Sequence, residues 1–293
     1  MHAWRWHGEC LRVRQSRAVW MNSAVLSRDG HVVVVDPGVA PSELDDLAAV
    51  VAGLAASPEH VTLVLTHHHW DHVLGRPWFP RARTAAHGAF AGSVAREAGD
   101  IERSARAWIE GEGGERWATA FAPFTPDEML RDGTACRLGD FDVVAHHIPG
   151  HCTTQLALHV PELHLLLAAD TLSDLEIPWL EEPAWIHRHS LERLQRVIED
   201  EGVETLVPGH GAIAEGAAAC RRRVHDDLDY LRRLEQGVAD AVARGDSLER
   251  TQEVLAAMPY TGRDAAYAMN DVHRGNIAHT WHGLRARGGH ADA

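Results

Sequence analysis

The chain has 293 residues, 45% of them hydrophobic, enough to bury the core of one large domain or of a domain with an appendage. Its formal net charge is −14, and every one of its 28 basic residues is arginine, so the balance argues against a nucleic-acid backbone as partner. No apolar run reaches the roughly 18 residues of a membrane span; the N-terminus has no signal-type apolar region, and Cys10, Cys136, Cys152 and Cys220 form no CxxC pair, which reads as a cytoplasmic protein with reduced thiols.

Strands are expected first, at 9–15, 19–27 and 31–35, with Asp29-Gly30 as the hairpin turn between the second and third. A helix follows from about Ser42, whose hydroxyl is a candidate cap, to Ala55. Val61–Leu65 is short and apolar but for Thr62, the signature of a strand buried on both faces. Residues 88–133 begin as a helix near 88–111 and then lose periodicity, so the segment reads as an insertion able to roof a pocket. Strands return at 141–148, 155–160 and 163–169, then a helix near 190–201 and a strand at 204–207. Beyond Pro208-Gly209-His210-Gly211 the pattern is helical: Val224, Leu228, Leu231, Leu234, Val238 and Val242 recur every three or four residues, and a last helix lies near 263–286.

The chemistry concentrates just past Leu65, in Thr66-His67-His68-His69-Trp70-Asp71-His72. In an extended segment alternate side chains share a face, so His67 and His69 can reach one ion together while Asp71 and His72 face a neighbouring one. Imidazole and carboxylate suit zinc and other first-row divalent metals. With 22 histidines in the chain, clusters arise by chance more readily than usual. Three further features in order, Gly150-His151, Ala169-Asp170-Thr171 and Gly209-His210-Gly211, each at the end of an expected strand, are not explained by chance. His68 and Trp70 alternate away from the ligands and read as packing. His146, His147 and Cys152 read as structural. His187, His189, His273, Asn276 and His279 are weaker candidates for substrate contact, and Trp108, Phe121, Phe124 and Met129 for an apolar pocket lining.

H-x-H-x-D-H, a lone His after Pro-Gly, an Asp after an apolar strand and a His in P-G-H-G together resemble the metallo-β-lactamase superfamily over roughly residues 10–212. The strand containing Asn22 and the Val32–Gly38 segment are similar to that family's opening hairpin. The resemblance implies an α/β (α+β) fold, a four-layer αββα sandwich. The catalytic domain would span 1–215 with the insertion at about 88–133, and a helical extension would span 216–293. It also implies two divalent ions, zinc first and iron or manganese as alternatives. His67, His69 and His151 would hold one, Asp71, His72 and His210 the other, with Asp170 bridging. A water shared by two cations loses its proton near neutral pH, giving hydroxide within reach of a bound carbonyl or phosphoryl group. Asp71 would handle a proton. Asp36 would orient the ligand loop, or simply end its strand.

Within the superfamily, the wording around His67 and Asp170 is similar to hydroxyacylglutathione hydrolases and related thioesterases, although the lysine-free tail offers no counterpart to their glutathione-binding basic residues. Acyl-homoserine lactonases often carry a tyrosine just after the bridging aspartate, where Thr171, Leu172 and Ser173 stand here. A true β-lactamase is disfavoured by the lack of lysine. The expectation is therefore a hydrolase of an ester, thioester or lactone in a small molecule, with no nucleic acid or membrane as partner and a homodimer only by analogy. The alternatives are an oxidoreductase resembling persulfide dioxygenases, with a single iron, and a phosphodiesterase resembling ribonuclease Z. A binding module without catalysis ranks last, because all seven ligand positions hold competent residues.

Overall fold

A computed structural model describes residues 4–111, 113–117, 120–260 and 270–288 of the chain. The first sheet is built in chain order from β1 (Trp4–His7), β2 (Leu11–Gln15), β3 (Asn22–Arg28), β4 (His31–Val35), β5 (Val61–Leu65), β6 (Arg83–His87) and β7 (Glu128–Leu130). Pairing is antiparallel as far as β4 and parallel from β4 to β7. Asp29 and Gly30 join β3 to β4 with both φ angles positive, 47° and 82°, the twist a two-residue hairpin requires. The second sheet comprises β8 (Thr134–Leu138), β9 (Phe141–His147), β10 (Leu156–Val160), β11 (Leu165–Leu167), β12 (Thr205–Val207) and β13 (Ala214–Glu215), antiparallel except where β11 meets β12.

Strand alternation sorts the core into layers. Val32, Val34, Leu63 and Leu65 pack outward against Leu44, Leu47 and Val51 of α1 (Pro41–Leu54) and Val94 and Ile101 of α3 (Phe90–Gly111). Val33, Val35 and Val64 face the other way and meet Phe141, Val143, Leu156 and Leu158 between the sheets. On the far side of the second sheet, Leu166 and Ala157 pack with Leu191 and Leu194 of α4 (Ala184–Asp200) and Leu228 and Leu231 of α5 (Ala217–Ala243). The result is the expected αββα sandwich. The short α2 (Trp70–Val73) follows β5, and α6 (Leu248–Leu255) and α7 (Asn270–Gly288) pack on α5. Positions 263–269 of the expected last helix lie outside the described residues. Among the described residues no helix is long and apolar enough to cross a membrane.

Several expectations needed correction. Ser42 does not cap α1: the N-cap is Ala40 with Pro41 in the first turn, and the Ser42 N–H and hydroxyl donate to the Glu115 carboxylate, a negative charge beside the positive end of the helix. The second expected strand starts at Asn22 rather than 19, because Val19 and Trp20 adopt left-handed backbone angles. α4 begins at Ala184, six residues ahead of the expected start at 190. Strands β1, β7, β8 and β13 were not anticipated. β1 and β8 are edge strands with mostly exposed or half-buried side chains, so they carry little apolar alternation. The segment 88–133 supplies α3 as a crossover and β7 as a parallel edge of the first sheet, so it is partly woven into the fold.

Phe141, fully buried between the sheets, tests this layering. Phe141→Ala should lower unfolding free energy by about 3–5 kcal/mol in urea titrations, with the slope of the transition unchanged; a loss under about 1 kcal/mol would place the main core elsewhere.

Candidate active site

Four strands of the two sheets deliver their carboxyl ends to one edge. After β5 the chain stays extended through His67 and His69, then α2 turns Asp71 and His72 inward, its His72 N–H donating to the His69 carbonyl. His151 follows β9 through the Pro149-Gly150 turn, Asp170 follows β11, and His210 follows β12. All seven sequence candidates converge. Ligand atoms of His67, His69, His151 and Asp170 lie within 4.8 Å of one another, as do those of Asp71, His72, Asp170 and His210. Asp170 belongs to both groups: its Oδ2 lies 3.6 Å from His67 Nε2, 3.4 Å from His151 Nε2 and 3.3 Å from His210 Nε2, and its Oδ1 lies 3.1 Å from His72 Nε2.

Each imidazole is oriented by a bond from its outer nitrogen. The N–H at His210 Nδ1 donates to the Val19 carbonyl at 2.7 Å, and that at His151 Nδ1 to the Trp179 carbonyl at 3.0 Å. His72 Nδ1 donates to Asp36 Oδ2 at 2.8 Å, and His69 Nε2 to Glu181 Oε1 at 3.2 Å. The Thr66 hydroxyl gives its proton to Asp36, so it accepts from His67 Nδ1 at 3.1 Å. Carbonyls and carboxylates can only accept, which puts a proton on each outer nitrogen and aims the inner nitrogens at the cluster, where His151 Nε2 and His69 Nδ1 approach to 2.9 Å. His67 Nε2, His72 Nε2 and Asp170 Oδ1 are buried with no hydrogen-bond partner. Orphaned acceptors converging in this way fit a divalent cation, whose charge would replace the missing partners.

The electrostatics agree. Burial, with help from His72, holds His67 well below its usual pKa, and burial together with His69 pushes His151 down to about 4. Asp170 is held well below the carboxylate range by His72, His210 and His67 in spite of its burial. Burial opposes protonation of His72 and His210 as well, yet Asp170 raises both. His67 and His151 are thus neutral and Asp170 ionised, while His72 and His210 hold protons that a divalent cation would displace on binding.

Close approach and backbone strain frame the centre. A Cβ on Gly209 would fall 2.0 Å from Asp170 Oδ1, and one on Gly150 would fall 2.3 Å from His187 Cβ. Val19, Trp20, Asp36, Ala169 and Leu172, all within or beside the ligand-bearing loops, have φ between 49° and 58°. Such angles cost free energy for residues with a side chain and persist where surrounding bonds enforce them. Asn22 supplies some of that enforcement: its side-chain amide donates to the Pro208 and Gly211 carbonyls at 2.9 Å each, stitching β3 to the His210 loop.

The cluster opens into a cleft of about 410 Å³. One face of α3 (Glu97, Asp100, Ile101, Ser104, Trp108) forms a wall, the segment 175–181 forms another, and Val19, Trp20, Trp70 and Val272 complete it. Trp70, expected to pack away, lies near-parallel to Trp108 with ring centroids 6.3 Å apart. Burial and the nearby Glu181 raise the Glu97 carboxyl. Other weak candidates fall away from the cleft. Phe121 and Phe124 pack on the first-sheet core, Met129 is exposed, and His189 bonds the Trp185 carbonyl. His187 is buried behind Gly150, its Nε2 3.2 Å from the Thr171 hydroxyl. His68 bridges Thr154 and Glu97, and His273 bonds the Tyr230 hydroxyl and the Leu255 carbonyl. Asn276 acts at one remove: fully buried, it accepts from the Leu180 N–H and donates to the Pro178 carbonyl, pinning the wall that carries Trp179.

The family model of the metallo-β-lactamase superfamily matches residues 21–210, and the chain belongs to that superfamily. It is 29% identical over 231 residues to a hydroxyacylglutathione hydrolase of Jannaschia sp. (strain CCS1), covering 76% of this chain and 77% of that protein. It is also 29% identical over 192 residues to an acyl-coenzyme A thioesterase of Gallus gallus, covering 61% of this chain and 68% of that one. Among solved structures, a metallo-β-lactamase family protein from Thermus thermophilus superposes with a TM-score of 0.63 at 23% identity, covering 92% of this chain and 89% of its own. A β-lactamase domain protein from Burkholderia ambifaria superposes at 0.66 with 17% identity, covering 98% and 90%, a likeness of fold.

Two variants probe the frame around the cluster. Asp36→Asn replaces an acceptor of three bonds with a group that can accept at one atom only. It should weaken metal binding about 10–100-fold in chelator competition; a change under threefold would reduce Asp36 to a strand-ending residue. Asn276→Ala strands the Leu180 N–H and the Pro178 carbonyl, and should cost about 1–3 kcal/mol in urea unfolding. It should also raise KM while metal content holds.

Proposed function

We propose that the chain is a hydrolase that holds two divalent cations, zinc first among them, and cleaves an ester, thioester or lactone bond of a small molecule in the cytoplasm. The observation that carries this reading is the common orientation of five histidines, each tied outward and open inward around Asp170. His67, His69, His151 and Asp170 would hold one cation, and Asp71, His72, His210 and Asp170 the other. Bound there, the pair supplies a water acidified to near neutral pH and a Lewis acid for the substrate carbonyl.

The chain's own groups do the rest. Asp71 lines the cleft and is kept ionised against burial by His72 and His210, so it is the residue placed to accept a proton and pass it to the leaving group. Asp36, Glu181 and the Val19 and Trp179 carbonyls hold the imidazoles in register. The tryptophan-lined cleft gives the acyl or leaving group an apolar bed. The two relatives named for thioester substrates favour a thioester over the other bonds. Four free cysteines accord with a reducing compartment.

The test is metal content by inductively coupled plasma mass spectrometry on protein purified without added metal, followed by a thioester panel. Near two zinc per chain with turnover is expected. His67→Ala combined with Asp71→Ala should empty the site and abolish turnover, and Asp71→Asn alone should reduce kcat by at least about 100-fold. One iron per chain with oxygen uptake on a persulfide would overturn the hydrolase in favour of a dioxygenase.

A further inference from the structure

Beyond the metal-ligating residues, the cleft combines two kinds of side chain. Its aromatic surface comes from Trp20, Trp70, Trp108 and Trp179, contributed by four separate segments. Trp20 and Trp179 are 38% and 54% exposed, and Trp70 and Trp108 form a near-parallel wall at 12°. Its charged surface beyond the candidate ligands is Glu97, Asp100, Glu176 and Glu181, and no arginine is among the described residues that line it. Glu97 bonds the His68 imidazole, Glu181 that of His69, and Asp100 pairs with Arg103, which does not itself line the cleft. A substrate carrying phosphates or free carboxylates would enter against these charges. An alkylammonium group would meet carboxylates and indole faces together, the combination that binds such cations best.

We propose that the cleft selects a substrate bearing a positively charged alkylammonium group next to the scissile ester or thioester, and discriminates against anionic carriers. This rests on the hydrolase reading and deepens it. In the reaction water adds to the acyl carbon, the bond from that carbon to the leaving sulfur or oxygen breaks, and the products are a carboxylic acid and the thiol or alcohol, which takes up the proton. The ammonium group stays intact on the leaving side, against Trp108 and Glu97.

The experiment uses metal-loaded protein and three butyryl thioesters that differ in the charge of the thiol: thiocholine, mercaptoethanol and thioglycolate, each corrected for its uncatalysed rate. The expected order of kcat/KM is thiocholine, then mercaptoethanol, then thioglycolate, with about tenfold at each step and a narrowing of the steps at high salt. Glu97→Gln with Asp100→Asn should bring the thiocholine-to-mercaptoethanol ratio towards one. Equal rates for all three, or a preference for thioglycolate, would overturn the cation preference and leave the hydrolase standing. A separate binding measurement covers the case of no turnover: calorimetry should show choline binding at least about tenfold tighter than its neutral isostere 3,3-dimethylbutanol, and Trp108→Ala should erase that difference. Absent turnover with choline bound would count against the hydrolase reading alone, and equal binding of the two would sink the cation proposal.

Discussion

Asp170 is a carboxylate buried at the seam of two β-sheets, with only 8% of its side chain exposed, and an ionised group in that position is costly unless charge of opposite sign surrounds it. The structure surrounds it with imidazoles drawn from the ends of β5, β9 and β12. Imidazoles compensate a carboxylate only if they point correctly, and each is pointed by a further acceptor: Thr66, Glu181, Asp36 or a main-chain carbonyl. Much of the irregular backbone follows from that need. The Val19 carbonyl reaches His210 from a residue at φ 49°, and Asp36 reaches His72 from one at φ 52°. Strain at these points is the cost of placing acceptors where a regular strand would not.

The same demand explains why the two sheets are held so firmly at this edge. Layer packing alone would let the sheets slide by small amounts, since apolar contact is not directional. Asn22 and the Met21–His210 bridge lock the register of β3 against the His210 loop. On the opposite side, Asp227 of α5 accepts from the Leu172 N–H, and Asn276 and Thr280 of α7 bond the backbone at Leu180 and Ala184. The segment after Asp170 is therefore braced from behind by helices remote in sequence. A change in α7 can reach the cleft through this brace without touching a metal ligand.

How much of this was legible in the chain depends on what kind of constraint each residue obeys. Metal ligation admits few side chains, and strand alternation fixes their spacing, so His67, His69, Asp71 and His72 stand out at once, and His151, Asp170 and His210 follow from their places after strands. The core strands were equally plain, because burial on both faces leaves Val61–Leu65 no polar residue but Thr62. The edge strands were not, since solvent accepts nearly any side chain there. The polar part of the α3 wall was hidden for a related reason, although Trp108 was a candidate lining: Glu97, Asp100 and Ser104 have the spacing and polarity of a solvated helix face, and only the tertiary position of α3 turns that face toward the cluster. Asn276 obeys a constraint of backbone hydrogen bonding, which many polar residues satisfy, so its spacing with His273 and His279 carried no distinguishing mark.

Chemistry and selectivity are consequently built from different parts of the chain. The candidate ligands sit on strand ends shared by two sheets, where displacing one disturbs the compensation of Asp170 and hence the fold. The cleft walls come from α3, the segment 175–181 and the start of α7, and of their cleft-facing side chains only Glu181 also orients a candidate ligand. Charge on those walls can change sign while the metal-binding edge stays intact. That separation allows a chain 29% identical to proteins named for acyl-coenzyme A and hydroxyacylglutathione substrates to carry a cleft lined with tryptophan and carboxylate. An anion attracted to cations bound there would still have to pass Glu97, Glu176 and Glu181, which line the same cleft, and charges closer than the Debye length of about 8 Å at physiological salt are only partly screened. On the proposed reading, selection by the walls would act before the reacting carbonyl reached the metals, and the acidic lining would decide which substrates the edge is offered.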